Sequence, residues 1–141
     1  ATAINSAAKF ESIDMVISVS SFASHEATFL DYMRREEIPE IIVQAFKPSI
    51  RLLLALKYNT NPMANAPINT IKNIEDPIFI IHGQQDEQIL VHQARELKKA
   101  AGENAKLWIV DDKKHMVVTK ILKEENQWYR DRLLEYINNN I

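Results

Sequence analysis

Two side chains in this sequence are of the right type, and sit in the right surroundings, to share a proton-transfer task. Asp86 closes the run Pro77-Ile78-Phe79-Ile80-Ile81-His82-Gly83-Gln84-Gln85-Asp86, and His115 follows 29 residues later, after Leu107-Trp108-Ile109-Val110-Asp111-Asp112-Lys113-Lys114. A carboxylate that accepts one ring N–H fixes the tautomer of an imidazole. The other ring nitrogen is then free to take a proton from a hydroxyl, and the carboxylate stabilises the imidazolium that results. Each of the two residues lies just past a short apolar, β-rich run, which is where open α/β sheets carry their chemistry. The interval between them suits one strand-helix-strand unit.

The other polar residues nearby are given plainer roles. His82 reads as a structural residue at a strand end and His92 as a solvated helix residue. Asp111 and Asp112 read as solvated loop residues, and Ser20 and Ser21 as loop and cap residues without the flanking glycines of a nucleophile turn. No metal site is expected, because the His, Asp and Glu residues show no ligand spacing. No cofactor is expected either.

Those residues need elements to hold them. Ile13 to Val19 reads as a strand covered on both faces, Pro77 to Ile81 as a second strand ended by Gly83, and Leu107 to Val110 as a third. Val91, Ala94, Leu97 and Ala101 space as one face of a helix that Gly102 ends. Trp128, Tyr129, Leu133, Tyr136 and Ile137 mark a last amphipathic helix, and Ala1 to Phe10 a first one with Ala3, Ala7 and Phe10 on one face. Between the first two strands, Ser24 is an expected N-cap, and Pro39 and Pro48 are expected to break the region into three short helices. Asn59 to Asn69 reads as a loop. The fold class is therefore α/β, with a parallel sheet of about three strands between helices.

Composition sets outer limits. The chain has 141 residues, 46% hydrophobic and 26% charged, with a net charge of −2, which suits one folded domain and not a polyanion binder. It has no cysteine, hence no thiolate nucleophile, and a cytoplasmic location is expected. The richest apolar stretch, Ile50 to Leu56, contains Arg51 and is too short to span a bilayer. There are only two glycines, Gly83 and Gly102, so glycine-dependent phosphate loops are excluded.

Taken together, the Pro77–Asp86 run, the Leu107–His115 run and Ile13 to Ala23 resemble the C-terminal half of the α/β-hydrolase fold. Ala1 to Phe10 is similar to the helix that follows that family's Gly-x-Ser-x-Gly-Gly elbow. Where the family often has a glycine shortly before its histidine, this chain has Lys113-Lys114. The resemblance implies a single partial α/β-hydrolase domain over residues 1–141, with a helical, lid-like insertion at residues 24–62. It implies part of a serine hydrolase acting on an ester, thioester or amide, with His115 as base and Asp86 orienting it. The serine elbow and the oxyanion hole would lie in an upstream half of the same fold. Phe22 and Met33 are the expected substrate-binding residues, under the lid, with ordinary helix packing as the plainer reading. The apolar Ile13–Val19 strand would lack its upstream neighbour, so its edge is expected to pair with that half or with a second copy of the chain. The competing reading is a non-catalytic α/β interaction module in which Asp86 is only a turn residue.

Overall fold

A computed structural model describes residues 1–140. In chain order the elements are α1 (Thr2–Ala7), β1 (Val16–Val19), α2 (His25–Arg35), α3 (Glu40–Tyr58), α4 (Pro67–Thr70), β2 (Ile78–Gly83), α5 (Val91–Ala101), β3 (Ala105–Val110) and α6 (Gln127–Asn138). The three strands form one parallel sheet in the order β1-β2-β3, with Val16 opposite Ile78 and Ile78 opposite Ala105.

The apolar run of β2 follows from its central place. Every residue from Ile78 to Gly83 is buried, because helices cover both faces and a strand lies on each side. Alternation then sorts its side chains. Ile78 and Ile80 meet Ile4 of α1, Ile71 beyond α4, and Ala94 and Leu97 of α5 on one face. Phe79 and Ile81 meet Tyr129 and Tyr136 of α6 on the other. That second layer is largely aromatic: Phe79 stacks on Tyr136 with ring centroids 4.3 Å apart, and Trp108 stacks on Tyr129 at 5.7 Å.

The helical region between β1 and β2 has a small core of its own, built from Leu30, Val43, Ile50 and Leu54. Ser24 caps α2 by accepting from the Ala27 amide at 2.9 Å. Two ion pairs help to join the helices, Arg51 with Glu26 and Arg34 with Glu40.

Three local expectations are corrected. Pro48 does not break α3, which runs unbroken from Glu40 to Tyr58. Its ring removes one helical N–H, but Pro48 and Gln44, whose carbonyl would have accepted, are both exposed, so the lost bond does not leave a buried carbonyl unpaired. The first strand begins at Val16 and not Ile13, since its neighbour β2 begins pairing at Ile78. Helix α1 ends at Ala7, so Ile4 supplies the buried contact, whereas Phe10 is exposed.

Candidate active site

The turn after β2 carries Asp86, and the loop after β3 carries His115. Main-chain hydrogen bonds knit the two together: Gln84 donates to the Val110 carbonyl at 2.9 Å and Gln85 to the Lys113 carbonyl at 2.9 Å. Gly83 is required by close approach. A Cβ at this position would stand 2.3 Å from the Lys113 carbonyl oxygen and 2.4 Å from that of Lys114, so any side chain here pushes the histidine loop away. Glycine thus serves two strands at once, ending β2 and admitting the backbone that leads to His115.

Asp86 is buried and fully engaged. One oxygen, Oδ1, accepts the Gln88 and Ile89 amides, each at 2.9 Å, closing the turn onto the residues before α5. The other, Oδ2, accepts from His115 Nδ1 at 2.9 Å and lies 3.1 Å from His82 Nε2. A carboxylate only accepts, so the His115 proton sits on Nδ1. The ring's Nε2 has no protein partner among the described residues, and the side chain retains 29% of its exposure. It lines a 310 Å³ cavity with Val19, Ser20, Val117 and Tyr129. The aspartate is hidden, while the histidine is open on one side.

Ser20 fastens the histidine loop to β1. Its hydroxyl donates to the His115 carbonyl at 2.6 Å, from a backbone held at φ 48°. That hydroxyl therefore serves the main chain. Ser21 is buried against the Ser18 hydroxyl at 2.6 Å.

His92, read from the sequence as a solvated helix residue, keeps 42% of its side-chain exposure and also bonds to α2. Asp31 of α2, 4% exposed, accepts from His92 Nε2 at 2.7 Å, Gln93 Nε2 at 2.8 Å and Arg34 Nη1 at 3.0 Å. Gln93 in turn accepts from the Ala23 amide at 2.9 Å. This network joins α2 to the start of α5, the helix that follows the Asp86 turn, and Arg35 donates to the Glu87 carbonyl in that turn. Its only sequence signal was polar residues at buried helix positions, which spacing alone does not pair.

Neither of the other predicted site residues, Phe22 and Met33, lines the cavity beside His115. Met33 lines a groove of 740 Å³ between α2 and α3 with Phe29, Ile42, Phe46 and Leu53. Phe22 packs on His25, with ring centroids 4.6 Å apart. No residue lines both this groove and the cavity beside His115. Among the described residues, no three His, Asp or Glu side chains converge in a way that could hold a metal ion.

No protein-family profile and no curated protein matches the sequence. Solved structures do match in shape. An esterase of Pyrococcus furiosus is 19% identical, with a TM-score of 0.63 over 96% of this chain and 48% of its own. A meta-cleavage product hydrolase of Pseudomonas fluorescens is 13% identical, with a TM-score of 0.57 over 97% of this chain and 60% of its own. An acylaminoacyl peptidase of Pyrococcus horikoshii is 12% identical, with a TM-score of 0.60 over 96% and 22% respectively. The chain spans about half the length of the esterase it matches. Its three parallel strands and flanking helices have the fold of the C-terminal part of an α/β hydrolase.

Proposed function

We propose that residues 1–141 are part of a serine hydrolase cleaving an ester, thioester or amide bond, in which His115 is the general base and Asp86 orients it. The observation that supports this reading is the 2.9 Å contact from His115 Nδ1 to a buried Asp86 oxygen, with the opposite ring nitrogen free of protein partners among the described residues and His115 among the residues that line a cavity. Such an imidazole can take a hydroxyl proton on Nε2 as an acyl carbon is attacked, and return it to the leaving group. The attacking serine belongs to an upstream half of the same fold, on a Gly-x-Ser-x-Gly elbow that two isolated glycines cannot supply here. The oxyanion hole comes with it.

In this reading residues 1–141 form one partial domain, and residues 24–62 are a lid-like insertion made of α2, α3 and the turn beyond them. The apolar groove that Met33 lines takes the acyl part of a small-molecule substrate, with Phe22 packed behind its His25 wall. The open edge of β1 pairs with the upstream half or with a second copy of the chain. A cytoplasmic location fits the cysteine-free composition. No helix among the described residues is long and apolar enough to cross a membrane.

The coding sequence upstream of Ala1 provides the first test, since it should contain the serine elbow within a few residues. A stop codon there with no such elbow would refute the proposal. The isolated 141-residue chain should also fail to react with a serine-directed phosphonate, because loss of the nucleophile alone costs about 10⁶ in turnover in a serine protease.

A further inference from the structure

Asp86 is held by more than the pair itself uses. His82 is fully buried on the central strand, directly before Gly83. Its Nε2 lies 2.8 Å from the Ile89 carbonyl oxygen and 3.1 Å from Asp86 Oδ2. Both neighbours only accept, so Nε2 carries the hydrogen; it donates to the Ile89 carbonyl, and Asp86 Oδ2 stands beside that bond. The other ring nitrogen, Nδ1, is buried with no hydrogen-bond partner among the described residues. The ring thus turns a donor toward the Ile89 carbonyl and an unpartnered nitrogen toward the core. An apolar side chain would fill the same space without burying an unpaired nitrogen, so packing alone does not account for the histidine.

The need for it lies in how a carboxylate turns. Rotation about the Asp86 Cβ–Cγ bond is soft. The two oxygens turn together about that bond, so the Gln88 and Ile89 amides that hold Oδ1 also set where Oδ2 points. His115 holds Oδ2 from a partly exposed loop. His82 holds the Ile89 carbonyl, and lies against Oδ2, from a strand buried on every side.

We propose that His82 is a positioning residue: its Nε2–H on the Ile89 carbonyl fixes the turn whose amides hold Asp86, keeps Oδ2 aimed at His115 Nδ1 and so keeps His115 in the tautomer a general base requires. The role rests on the reading of Asp86 and His115 as orienter and base.

The test is nitrogen-15 NMR of the histidine rings in the whole gene product. The parent should show His115 protonated on Nδ1 with slowed solvent exchange, and His82 protonated on Nε2 with a bare Nδ1. In His82→Leu the His115 Nδ1 proton should exchange about fivefold faster, the loss expected for one hydrogen bond to a neutral carbonyl, while the Phe79 and Ile81 backbone amides keep their protection. His82→Gln, whose side-chain amide can donate from the same place, should recover most of the parent's protection. If His82→Leu fails to fold, the parent rings and His82→Gln decide: a His82 proton on Nδ1, or a Gln variant with His115 unprotected in an intact core, overturns the role. A folded Leu variant with His115 unchanged also overturns it and leaves the base-and-orienter reading standing. A parent His115 protonated on Nε2 refutes that reading and the role together.

Discussion

The sheet end that carries Asp86 and His115 and the helical pair α2–α3 are held together by different means. At the sheet end the backbone sets the geometry: the β2–β3 ladder, the Gln84 and Gln85 amides on the next loop's carbonyls, and a glycine that admits that loop. In the helical pair four buried apolar side chains form the core, and side-chain pairs, Glu26 with Arg51 and Asp31 with His92 and Gln93, make the attachments. Most of the large apolar side chains that stay exposed are on α2 and α3, with Ile41 at 80% and Leu56 at 71%. Proton-transfer geometry needs positions fixed to a fraction of an ångström, which backbone bonding supplies. A surface that opens or adapts needs attachments that single side chains can release, and such regions have low local stability.

Substitutions at the two ends should separate these modes. Gly83→Ala forces a Cβ against two main-chain carbonyls and should cost about 3 kcal/mol, the upper range for overpacking. Urea unfolding measures it, and the His115 ring proton should lose its protection even where the fold survives. A variant as stable as the parent would show that the histidine loop is not packed against β2 as described.

Asp31→Ala should cost about 2 kcal/mol. It strands Gln93 in the core, while His92 and Arg34 are exposed enough to find water. Here the comparison sharpens, because hydrogen exchange should rise in α2 and α3 and stay unchanged in β2. Uniform loss of protection would mean that the helical pair and the sheet open as one unit.

Ser20→Ala removes the bond to the His115 carbonyl and should destabilise by about 1 kcal/mol. Its chief effect should be faster exchange of the His115 ring proton, with α2 and α3 undisturbed. A change confined to the helices would place Ser20 in the wrong region.

The smallest effect is one of pH. Burial raises the ionisation of Tyr129 and Tyr136 above the usual 10.0, since their neutral form suits the aromatic layer against β2. A group whose pKa is higher folded than unfolded contributes its stability below the unfolded value and loses it as pH rises through the folded one. Stability should therefore fall above pH 10, read by unfolding at stepped pH, and Tyr129→Phe should blunt the fall. An unchanged pH profile in that variant would leave Tyr129 out of the effect.

The sheet end was also the part most legible in the sequence. Pro77 before an unbroken Ile-Phe-Ile-Ile run, Gly83 after it and Gly102 at the end of α5 are local signals, and the structure places each at an element boundary. The spacing from Asp86 to His115 was legible because one strand-helix-strand unit has a narrow range of lengths. What was missed depends on partners far along the chain. The bond from His92 was hidden because its acceptor, Asp31, is 61 residues away. The start of β1 is set by where β2 begins, and Pro48 is tolerated because that side of α3 faces water. Local chemistry suggests a break at a proline, and only the packed fold says which carbonyls water can reach.

The central claim, that His115 and Asp86 serve a serine outside residues 1–141, is tested most directly by fluorophosphonate labelling of the whole gene product. The account predicts one labelled serine upstream of Ala1, with the labelling rate reduced about 10⁴-fold in Asp86→Asn and at least as far in His115→Ala. Labelling at Ser20 or Ser21, or labelling that His115→Ala leaves intact, would contradict it.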